Sequence, residues 1–385
     1  MDATLSHDLV EQARQWRLDL HRHPEMAFEE HRTGDFVARM LAEWGLDVRR
    51  GHGRTGVVGT LVRDSSSRSL ALRADMDALP ILEQTGAAHA SVNPGIMHAC
   101  GHDGHVAMLL AAAKLASRRD DLDGIVHFVF QPAEEVEGGA RAMVADGLFR
   151  DFPADAVYGL HNWPGLRPGE AAARDGAMMA AFATFEIEVI GRGAHGAMPH
   201  EGADPVLCAG QLVGALQAVA ARNVSPLKAA VLSVTQIHGG DAYNVIPERV
   251  ALRGTTRWFE AQVGDLIEER LGLTATRICE AFGCRAEVRY ERRYPATIND
   301  PRAAGFLRAA AARTGLAVVD AEPSMAAEDF AFMLEARPGA YLWLGAGKDG
   351  DNPGLHSPRF DFNDAILASG IGLWNATIGM ALGRS

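Results

Sequence analysis

The chain has 385 residues, of which 48% are apolar, so it is long enough to bury the cores of two domains. Its formal net charge of −12 excludes a nucleic-acid-binding protein, because no basic stripe is available to neutralise phosphates. The first residues lack the basic head and apolar core of a secretory signal, and no apolar run approaches the roughly 18–20 residues that cross a bilayer. Four cysteines are too few for a disulfide framework, so we expect a cytoplasmic protein with reduced thiols and no membrane partner.

In chain order, the first half alternates short apolar strands with amphipathic helices. The predicted strands are Gly56–Val62, Ser69–Ala74, Gly124–Phe130 and Ala154–Leu160. The predicted helices are Leu9–His21, His31–Trp44 and His105–Arg119. Buried strands separated by helices are typical of an α/β fold whose mainly parallel sheet has helices on both faces.

The pattern changes after residue 181. Residues 183–189 alternate apolar and polar side chains, as in a strand with one wet face. The elements that follow are a helix at Asp204–Asn223, strands at Ala229–Ile237 and Arg249–Thr256, a helix at Ala261–Phe282 and a strand at Arg285–Arg293. This β-α-β-β-α-β order predicts a small α+β domain, residues 182–293, inserted into a larger domain of residues 1–181 and 294–385.

The last part of the chain again alternates helices with an apolar strand, as the first half does. A helix at Arg302–Thr314, a strand at Ala340–Gly345 and a helix at Asp364–Leu382 are predicted there. These elements extend the sheet of the larger domain. We expect hinges between the two domains near Met179–Ala181 and Tyr294–Pro295.

The stretch Met97–His105 combines one thiol, three imidazoles and a carboxylate. Thiolate and imidazole are soft ligands that suit zinc or another late divalent metal. Cys100 and His102 are the first candidates, although His98 and His105 compete with His102. The later pair Glu134-Glu135 offers a further ligand and a general base, so the two motifs together predict a metal-dependent hydrolase.

Several polar clusters come at or just after the ends of predicted strands. They are Asp75 and Asp77, the pair Glu134-Glu135, His161, and His356 in a loop rich in glycine and proline. Ligands of open α/β sheets bind beyond the carboxyl ends of the strands. We therefore expect these side chains to converge on one rim of the sheet.

The predicted inserted domain holds a glycine-rich turn, Gly191–His200, that contains His195. Its glycines serve the turn or allow His195 to approach a substrate, and the stretch lacks the ending and spacing of a phosphate loop. Asn244 is either a turn residue or a substrate contact. Arg257 is either a surface arginine or the partner of a substrate carboxylate.

With these motifs the chain resembles the amidohydrolases that include hippurate hydrolase, N-acyl-L-amino acid amidohydrolase and the indole-acetyl-amino acid hydrolases, relatives of aminoacylase and carboxypeptidase G. The resemblance runs nearly end to end. It is carried by the stretches Leu20–Glu25, Arg73–Pro80, Met97–His105, Gln131–Glu135, Gly193–His200, Asn244–Pro247, Ala327–Phe330 and Leu355–Pro358.

The resemblance implies a site of two divalent metal ions, zinc, manganese, nickel or cobalt. The implied ligands are Cys100, which would bridge both ions, together with His102, Glu135, His161 and His356. Glu134 would be the catalytic base. Asp77 would not bind a metal ion itself but would orient one of the metal ligands. The inserted domain would be a lid that also forms a homodimer or homotetramer, and it would carry the substrate-binding residues His195, Asn244 and Arg257.

The function implied is hydrolysis of the amide bond of N-acyl-L-amino acids, small-molecule substrates such as hippurate or N-acetyl amino acids. A di- or aminopeptidase that uses the same metal centre is the alternative. A non-catalytic metal-binding scaffold is a third possibility, which the presence of Glu134 and all five ligands disfavours.

Overall fold

The secondary structure is that of a computed structural model that describes residues 5–135 and 138–384. Its strands are β1 (Asp47–His52), β2 (Gly56–Arg63), β3 (Ser69–Asp75), β4 (Gly124–Gln131), β5 (Ala156–Trp163), β6 (Glu170–Ala172), β7 (Gly176–Met179), β8 (Ala181–Ile190), β9 (Ala194–His195), β10 (Ala230–His238), β11 (Val245–Ile246), β12 (Arg249–Trp258), β13 (Arg285–Tyr294), β14 (Thr297–Asn299), β15 (Ala317–Val318) and β16 (Gly339–Gly345). The signal-peptide expectation concerns residues 1–4, which lie outside the described residues.

The helices follow the same chain order. They are α1 (His7–Arg22), α2 (His31–Glu43), α3 (His102–Ala116), α4 (Gly139–Ala145), α5 (Leu148–Asp151), α6 (Pro205–Ala218), α7 (Ala261–Ala281), α8 (Pro301–Arg313), α9 (Ala331–Ala336) and α10 (Leu367–Leu382). Short helical turns at Pro199–Glu201, Val219–Asn223 and Asp364–Ile366 complete the set.

The chain divides into two units. The first is formed by Met1–Met178, Thr297–Glu322 and Asp329–Ser385, and the second by Met179–Ala296 with Pro323–Glu328. The first unit is therefore built from chain segments that lie on either side of the second in sequence.

The first unit is built on an eight-stranded sheet with the order β1-β2-β4-β3-β5-β16-β6-β15. Its centre is parallel, since β4 and β5 both pair in parallel with β3, and β16 pairs in parallel with β5. Helix α3 is almost entirely buried and packs against β3, α1 and α10. The α/β fold with a mainly parallel sheet is confirmed.

Antiparallel pairs occur at the two sides of this sheet. Strand β1 pairs antiparallel with β2 across a short turn, and β2 pairs antiparallel with β4. A short turn can join only antiparallel strands, because a parallel connection needs a longer crossover. Strand β1 was not predicted, because most of its side chains are exposed and it lacks an apolar pattern.

Two element ends that bear on the polar clusters differ from the sequence prediction. Helix α3 begins at His102, three residues before its predicted start, so His102 and His105 both lie in its first turn. Strand β5 continues through His161 to Trp163 instead of ending at Leu160. The indole rings of Trp163 and Trp343 stack at 4.0 Å between their centroids.

The second unit contains a four-stranded antiparallel sheet with the order β10-β12-β8-β13. Helices α6 and α7 supply much of its apolar core, which includes Leu212 and Leu271. The chain order of these six elements is the predicted β-α-β-β-α-β. The short strands β9 and β11 form a separate antiparallel ribbon.

Two helices of the described chain, Pro205–Asn223 and Asp364–Leu382, are long and apolar enough to cross a membrane. The expectation that no segment approaches that length was therefore wrong. These helices were identified by length and composition alone, and the core helices of soluble proteins also have such a length and composition. In Asp364–Leu382, 50% of the apolar window is buried inside the structure.

Candidate metal centre

The predicted polar clusters of the first unit converge at the carboxyl ends of the parallel strands. Ligand atoms within 4.8 Å of one another form five groups, and three of these consist only of predicted ligands and Glu134: Cys100, His102 and His161; Cys100, Glu135 and His356; and His102, Glu134 and Glu135. The other two are Asp75, His102 and His105, and Glu134, Glu328 and Asp329. The structure thus brings together all five predicted ligands and Glu134. They arrive from β5, the first turn of α3, the loop after β4 and the loop after β16.

Cys100 and His102 are placed by a tight turn at the start of α3. Gly101 between them has a φ of 94°, and a Cβ there would lie 2.3 Å from Asn162 Oδ1. Only glycine fits such a left-handed, crowded position. The turn leaves Cys100 Sγ 3.3 Å from His161 Nε2.

His161 is held in the form that a metal ligand requires. Its Nδ1 lies 2.7 Å from the backbone carbonyl oxygen of Asn162, to which it donates a hydrogen bond. Burial, reinforced by neighbouring His105, keeps the pKa of His161 well below its usual value. The ring is therefore neutral with its free lone pair on Nε2, the atom that faces Cys100.

In His102, one of the two ring nitrogens has no hydrogen-bond partner. Nδ1 donates to the backbone carbonyl oxygen of Asp77 at 2.9 Å, whereas Nε2 is buried without a hydrogen bond. Burial opposes protonation, but the carboxylates of Asp75 and Asp77 outweigh it and raise the pKa of His102 to about 10. A cation beside Nε2 would satisfy both the unpartnered nitrogen and the surrounding negative charge.

Asp77 organises the pair of glutamates as well as His102. Its Oδ1 accepts the backbone N–H of Glu134 and its Oδ2 accepts the backbone N–H of Glu135, both at 2.9 Å. One buried residue therefore fixes the backbone that carries a predicted ligand and the predicted base. Its carbonyl fixes a third member of the site.

The loop that carries the glutamates, residues 132–135 and 138, is here called the acidic loop. Asp329 accepts the N–H of Ala140 just beyond this loop at 2.8 Å, and it also accepts hydrogen bonds from Gln131 and Arg73. Asp329 therefore supports the acidic loop. Helix α9 starts just after it, at Ala331, with Phe330 as its N-cap residue.

His356 reaches the cluster from the loop after β16. Its backbone has a φ of 64°, and its N–H donates to the carbonyl oxygen of Ala99 at 2.8 Å. Its Nε2 lies 3.0 Å from Glu135 Oε1. Its side chain is 53% exposed, so the cluster is open to solvent on this side.

The two competing histidines differ from His102 in their surroundings. His105 Nδ1 lies 2.6 Å from Asp75 Oδ1 and its Nε2 lies 2.6 Å from Asn162 Oδ1, so both nitrogens are engaged. His98 is buried and belongs to none of the ligand groups, and burial lowers its pKa to about 4. His102 is the histidine of this stretch that faces the cluster.

The donor set fits a metal ion. Burial raises the pKa of the Cys100 thiol well above its usual value, and Glu135 and Glu134 raise it further. A thiolate among these carboxylates would be stabilised by the charge of a bound metal ion. Sulfur, imidazole nitrogen and carboxylate oxygen together are the ligands of zinc and similar divalent metals.

A protein-family model described as Peptidase family M20/M25/M40 matches residues 71–379. The chain belongs to this peptidase family. It is 42% identical to N-acetyl-L-cysteine deacetylase of Bacillus subtilis over 91% of this chain and 83% of that protein. It is 38% identical to hippurate hydrolase of Campylobacter jejuni over 94% of both chains.

Among solved structures of the M20 family, a Bacillus subtilis protein described as a dinuclear metal-binding peptidase matches with a TM-score of 0.84. The two sequences are 34% identical, and the match covers 97% of this chain and 99% of the other. The M20 fold is therefore shared over the whole length.

The remaining predicted residues of this M20 chain lie in the second unit. His195 on β9 pairs with Val245 on β11, and the N–H of Gly196 donates to the carbonyl oxygen of Asn244 at 2.7 Å. His195 and Asn244 are thus neighbours in one ribbon. The N–H of Ala197 donates to His195 Nδ1 at 3.1 Å, which leaves Nε2 as the donor nitrogen of the neutral ring.

Arg257 lies apart from that ribbon, on β12. Its guanidinium carbon is 4.3 Å from the centroid of the Phe182 ring, and its Nη1 is buried without a hydrogen-bond partner. Burial lowers the pKa of Arg257. The structure therefore places this arginine in a sheltered position, in contrast to an ordinary surface arginine.

Two buried residues that support the site were not predicted from the sequence. Arg73 is fully buried and donates to Asp75 at 2.7 Å, and Glu30 accepts the N–H of Ala133 at 2.8 Å. An arginine within the apolar stretch Ser69–Ala74 could have indicated a buried ion pair, since an unpaired charge is costly in a buried strand. Glu30 gave no such signal, because its partner lies far away in the sequence.

Proposed function

We propose that this protein is a two-metal amidohydrolase that cleaves the amide bond of N-acyl-L-amino acids. The observation that carries the proposal is the convergence of Cys100, His102, Glu135, His161 and His356 around Glu134. Relatives named N-acetyl-L-cysteine deacetylase and hippurate hydrolase support this substrate class.

The five converging side chains, Cys100 among them, would hold two divalent ions, which could be zinc, manganese, nickel or cobalt. When bound, the ions would lower the pKa of a water molecule and polarise the scissile carbonyl. Asp77 would keep His102 and Glu135 in their binding positions through the hydrogen bonds it accepts from them. The larger unit is thus the catalytic, metal-binding domain.

Glu134 would act as the general base and acid. It lies beside Glu135 in the acidic loop, and only 7% of it is exposed. It would take a proton from the attacking water and then pass it to the departing nitrogen of the amino acid.

The second unit, the lid, would bind the polar groups of the substrate. His195 would donate a hydrogen bond from Nε2 to the oxyanion, and it would do so from a neighbouring subunit. Asn244 would contact the same part of the substrate. The unpartnered Nη1 of Arg257 suits the carboxylate of the leaving amino acid.

We further propose a cytoplasmic protein that assembles as a homodimer or homotetramer through the lid. Support for the reduced compartment comes from Cys100, Cys208, Cys279 and Cys284, which are all free and buried. Support for the assembly comes from α6, where Val206 and Leu207 are 47% and 54% exposed.

The proposal is tested by metal content together with hydrolysis of hippurate, N-acetyl amino acids and simple dipeptides, before and after chelation. We expect about two ions per chain and acyl-amino-acid hydrolysis that chelation abolishes and a divalent metal restores. Glu134→Gln should keep the metal and lose on the order of 100- to 10,000-fold in kcat.

Three results would contradict the proposal. Dipeptide hydrolysis without acyl-amino-acid hydrolysis would establish the peptidase alternative. Metal binding without hydrolysis of any of these amides would favour a scaffold. Full activity of Glu134→Gln would remove the proposed base.

A further inference from the structure

The acidic loop contains a strained residue directly before the proposed base. Ala133 has a φ of 53°, in the left-handed region that L-residues other than glycine, asparagine and aspartate rarely adopt. Such a conformation is strained and persists only where the surroundings impose it. Something must therefore hold Ala133 in place.

Glu30 is the residue that holds it. Its side chain is fully buried, and Oε1 accepts the N–H of Ala133 at 2.8 Å and the N–H of Phe28 at 3.0 Å. Phe28 is also left-handed, with a φ of 63°. Oε2 accepts the hydroxyl of Thr55. One carboxylate thus fixes two strained backbone positions from different parts of the chain.

Glu30 and Asp77 together hold three successive N–H groups of the acidic loop. Glu30 takes the N–H of Ala133, and Asp77 takes those of Glu134 and Glu135. The peptide planes on either side of Glu134 therefore cannot rotate without breaking a charge-assisted hydrogen bond in a buried place. The direction of the Glu134 side chain follows from those planes.

We infer that Glu30 is a positioning residue for the proposed reaction, which aims Glu134 by locking Ala133 in its left-handed conformation. This inference rests on the proposed function. Glu30 does not belong to the three ligand groups, so its effect should fall on turnover and not on metal binding. Burial, reinforced by the charge of Asp77, raises the pKa of Glu30 to about 7, so the protein keeps this carboxylate despite an unfavourable environment.

The test compares Glu30→Ala with Glu25→Ala. Glu25 also accepts two backbone N–H groups, those of Arg32 and Thr33 at 2.8 Å, but these begin α2 and lie outside the acidic loop. Glu30→Ala should lower kcat by on the order of 10- to 100-fold, the range found for residues that orient ligands from behind. KM should change less than about twofold and metal content should persist, while Glu25→Ala should lower the melting temperature and leave kcat unchanged.

Two further variants keep the test decisive if Glu30→Ala folds poorly. Glu30→Gln retains an acceptor oxygen and should keep more of kcat than Glu30→Ala. Adding Ala133→Gly to either variant should restore part of the lost kcat, because glycine adopts the left-handed conformation without strain. Hydrogen–deuterium exchange of the acidic loop should accelerate in Glu30→Ala and stay at the parent rate in Glu25→Ala.

The results of these experiments distinguish failure of the positioning role of Glu30 from failure of the proposed amidohydrolase function. A parent protein that hydrolyses no acyl amino acid overturns both. An active parent whose folded Glu30 variants retain kcat and loop exchange rates overturns the positioning role alone. Equal loss of kcat in the Glu25 and Glu30 variants would do the same, since it would indicate a general loss of stability.

Discussion

The ring of His195 has its hydrogen-bonding direction set by a backbone amide two residues later. Because the N–H of Ala197 occupies Nδ1, the neutral ring must carry its proton on Nε2. A donor of fixed direction is what stabilisation of an oxyanion requires. This geometry suits the proposed substrate contact, the second of the two roles that composition leaves open for the glycine-rich turn.

Replacing His195 tests this assignment. His195→Ala should lower kcat on the order of 100- to 1,000-fold, the cost of one oxyanion donor, with metal content unchanged. The measurement is steady-state hydrolysis of hippurate beside metal analysis. His200→Ala is the matched control, because His200 is another exposed histidine of the same unit, in the turn Pro199–Glu201. Equal losses in both variants would contradict the specific role.

At the scale of elements, the junction between the acidic loop and α4 depends on a glycine. Gly139 begins α4, and a Cβ on it would lie 1.7 Å from the carbonyl oxygen of Pro132. Its N–H donates to the carbonyl oxygen of Ala133 at 2.9 Å. The loop thus folds back on its own start, and only a residue without a side chain fits the crossing.

Gly139→Ala should therefore destabilise the protein by several kcal/mol and lower kcat, because the backbone around Glu134 must move to relieve the clash. Gly272→Ala is the control, since nothing lies within 4 Å of a Cβ at that position in the interior of α7. That change should stabilise the protein by about 0.5–1 kcal/mol. Denaturant unfolding of both variants measures the contrast, and a neutral Gly139→Ala would refute the clash.

The packing of α1 on α3 includes a buried pair whose strength depends on pH. His21 Nδ1 on α1 lies 2.9 Å from Asp103 Oδ2 on α3, and Glu83 lies on the other side of the ring at 3.4 Å. Burial disfavours the charged ring, but these carboxylates prevail and raise the pKa of His21 to about 9. They are in turn stabilised as anions, so the pKa of Asp103 is lowered and that of Glu83 falls to about 2.

The sign of the effect follows from the raised pKa of His21. Its contribution to stability is complete below pH 6.5 and disappears as the pH rises toward 9, while that of the carboxylates is lost as acid protonates them. The destabilisation by His21→Gln should therefore shrink by on the order of 3 kcal/mol between pH 6 and pH 9. Denaturant unfolding across this range measures it, with exposed His31→Gln as the control. A pH-independent difference would contradict the assignment.

Most elements could be predicted because their apolar residues recur with the period of a strand or helix. The start of α3 was placed too late, since Gly101 before it has no polar side chain to signal a cap. The apolar run that predicts β5 ends at Leu160, whereas the polar residues His161 and Asn162 extend the strand in the structure. Edge strand β1 lacked the pattern altogether.

The ligand set could be named from motifs, whereas the contacts that hold it could not. Glu30 and Ala133, or Asp329 and Ala140, are joined only by the tertiary fold. Sequence periodicity reports which face of an element is buried, not which distant residue meets it. The strained backbone at Ala133 was equally hidden, since alanine is not a residue that marks left-handed turns.

At the scale of the whole molecule, the proposed assembly depends on an apolar strip of α6. Val206 and Leu207 are exposed on it, and Gly210 and Gly214 leave open space beside them. Exposed apolar groups of this kind mark contact surfaces between proteins. A second copy of the chain that packs on this strip would cover it.

Leu207→Glu should therefore convert the proposed dimer or tetramer to smaller species, because a buried unpaired charge is costly at an interface. Analytical ultracentrifugation at micromolar concentration measures the change. Leu227→Glu is the control, since Leu227 is 95% exposed and lies in the loop before β10. A parent protein that sediments as a monomer, or equal behaviour of the two variants, would contradict the assembly.

The interrupted course of the first unit sets the order in which it can be completed during synthesis. Strand β5 ends at Trp163, and its neighbour β16 begins only at Gly339, after the whole second unit. At roughly 5–20 residues per second, the ribosome leaves that edge of β5 without its partner for about 10–35 seconds. His356 emerges later still, so the nascent chain can acquire its full set of proposed ligands only after the second unit and β16 have been made.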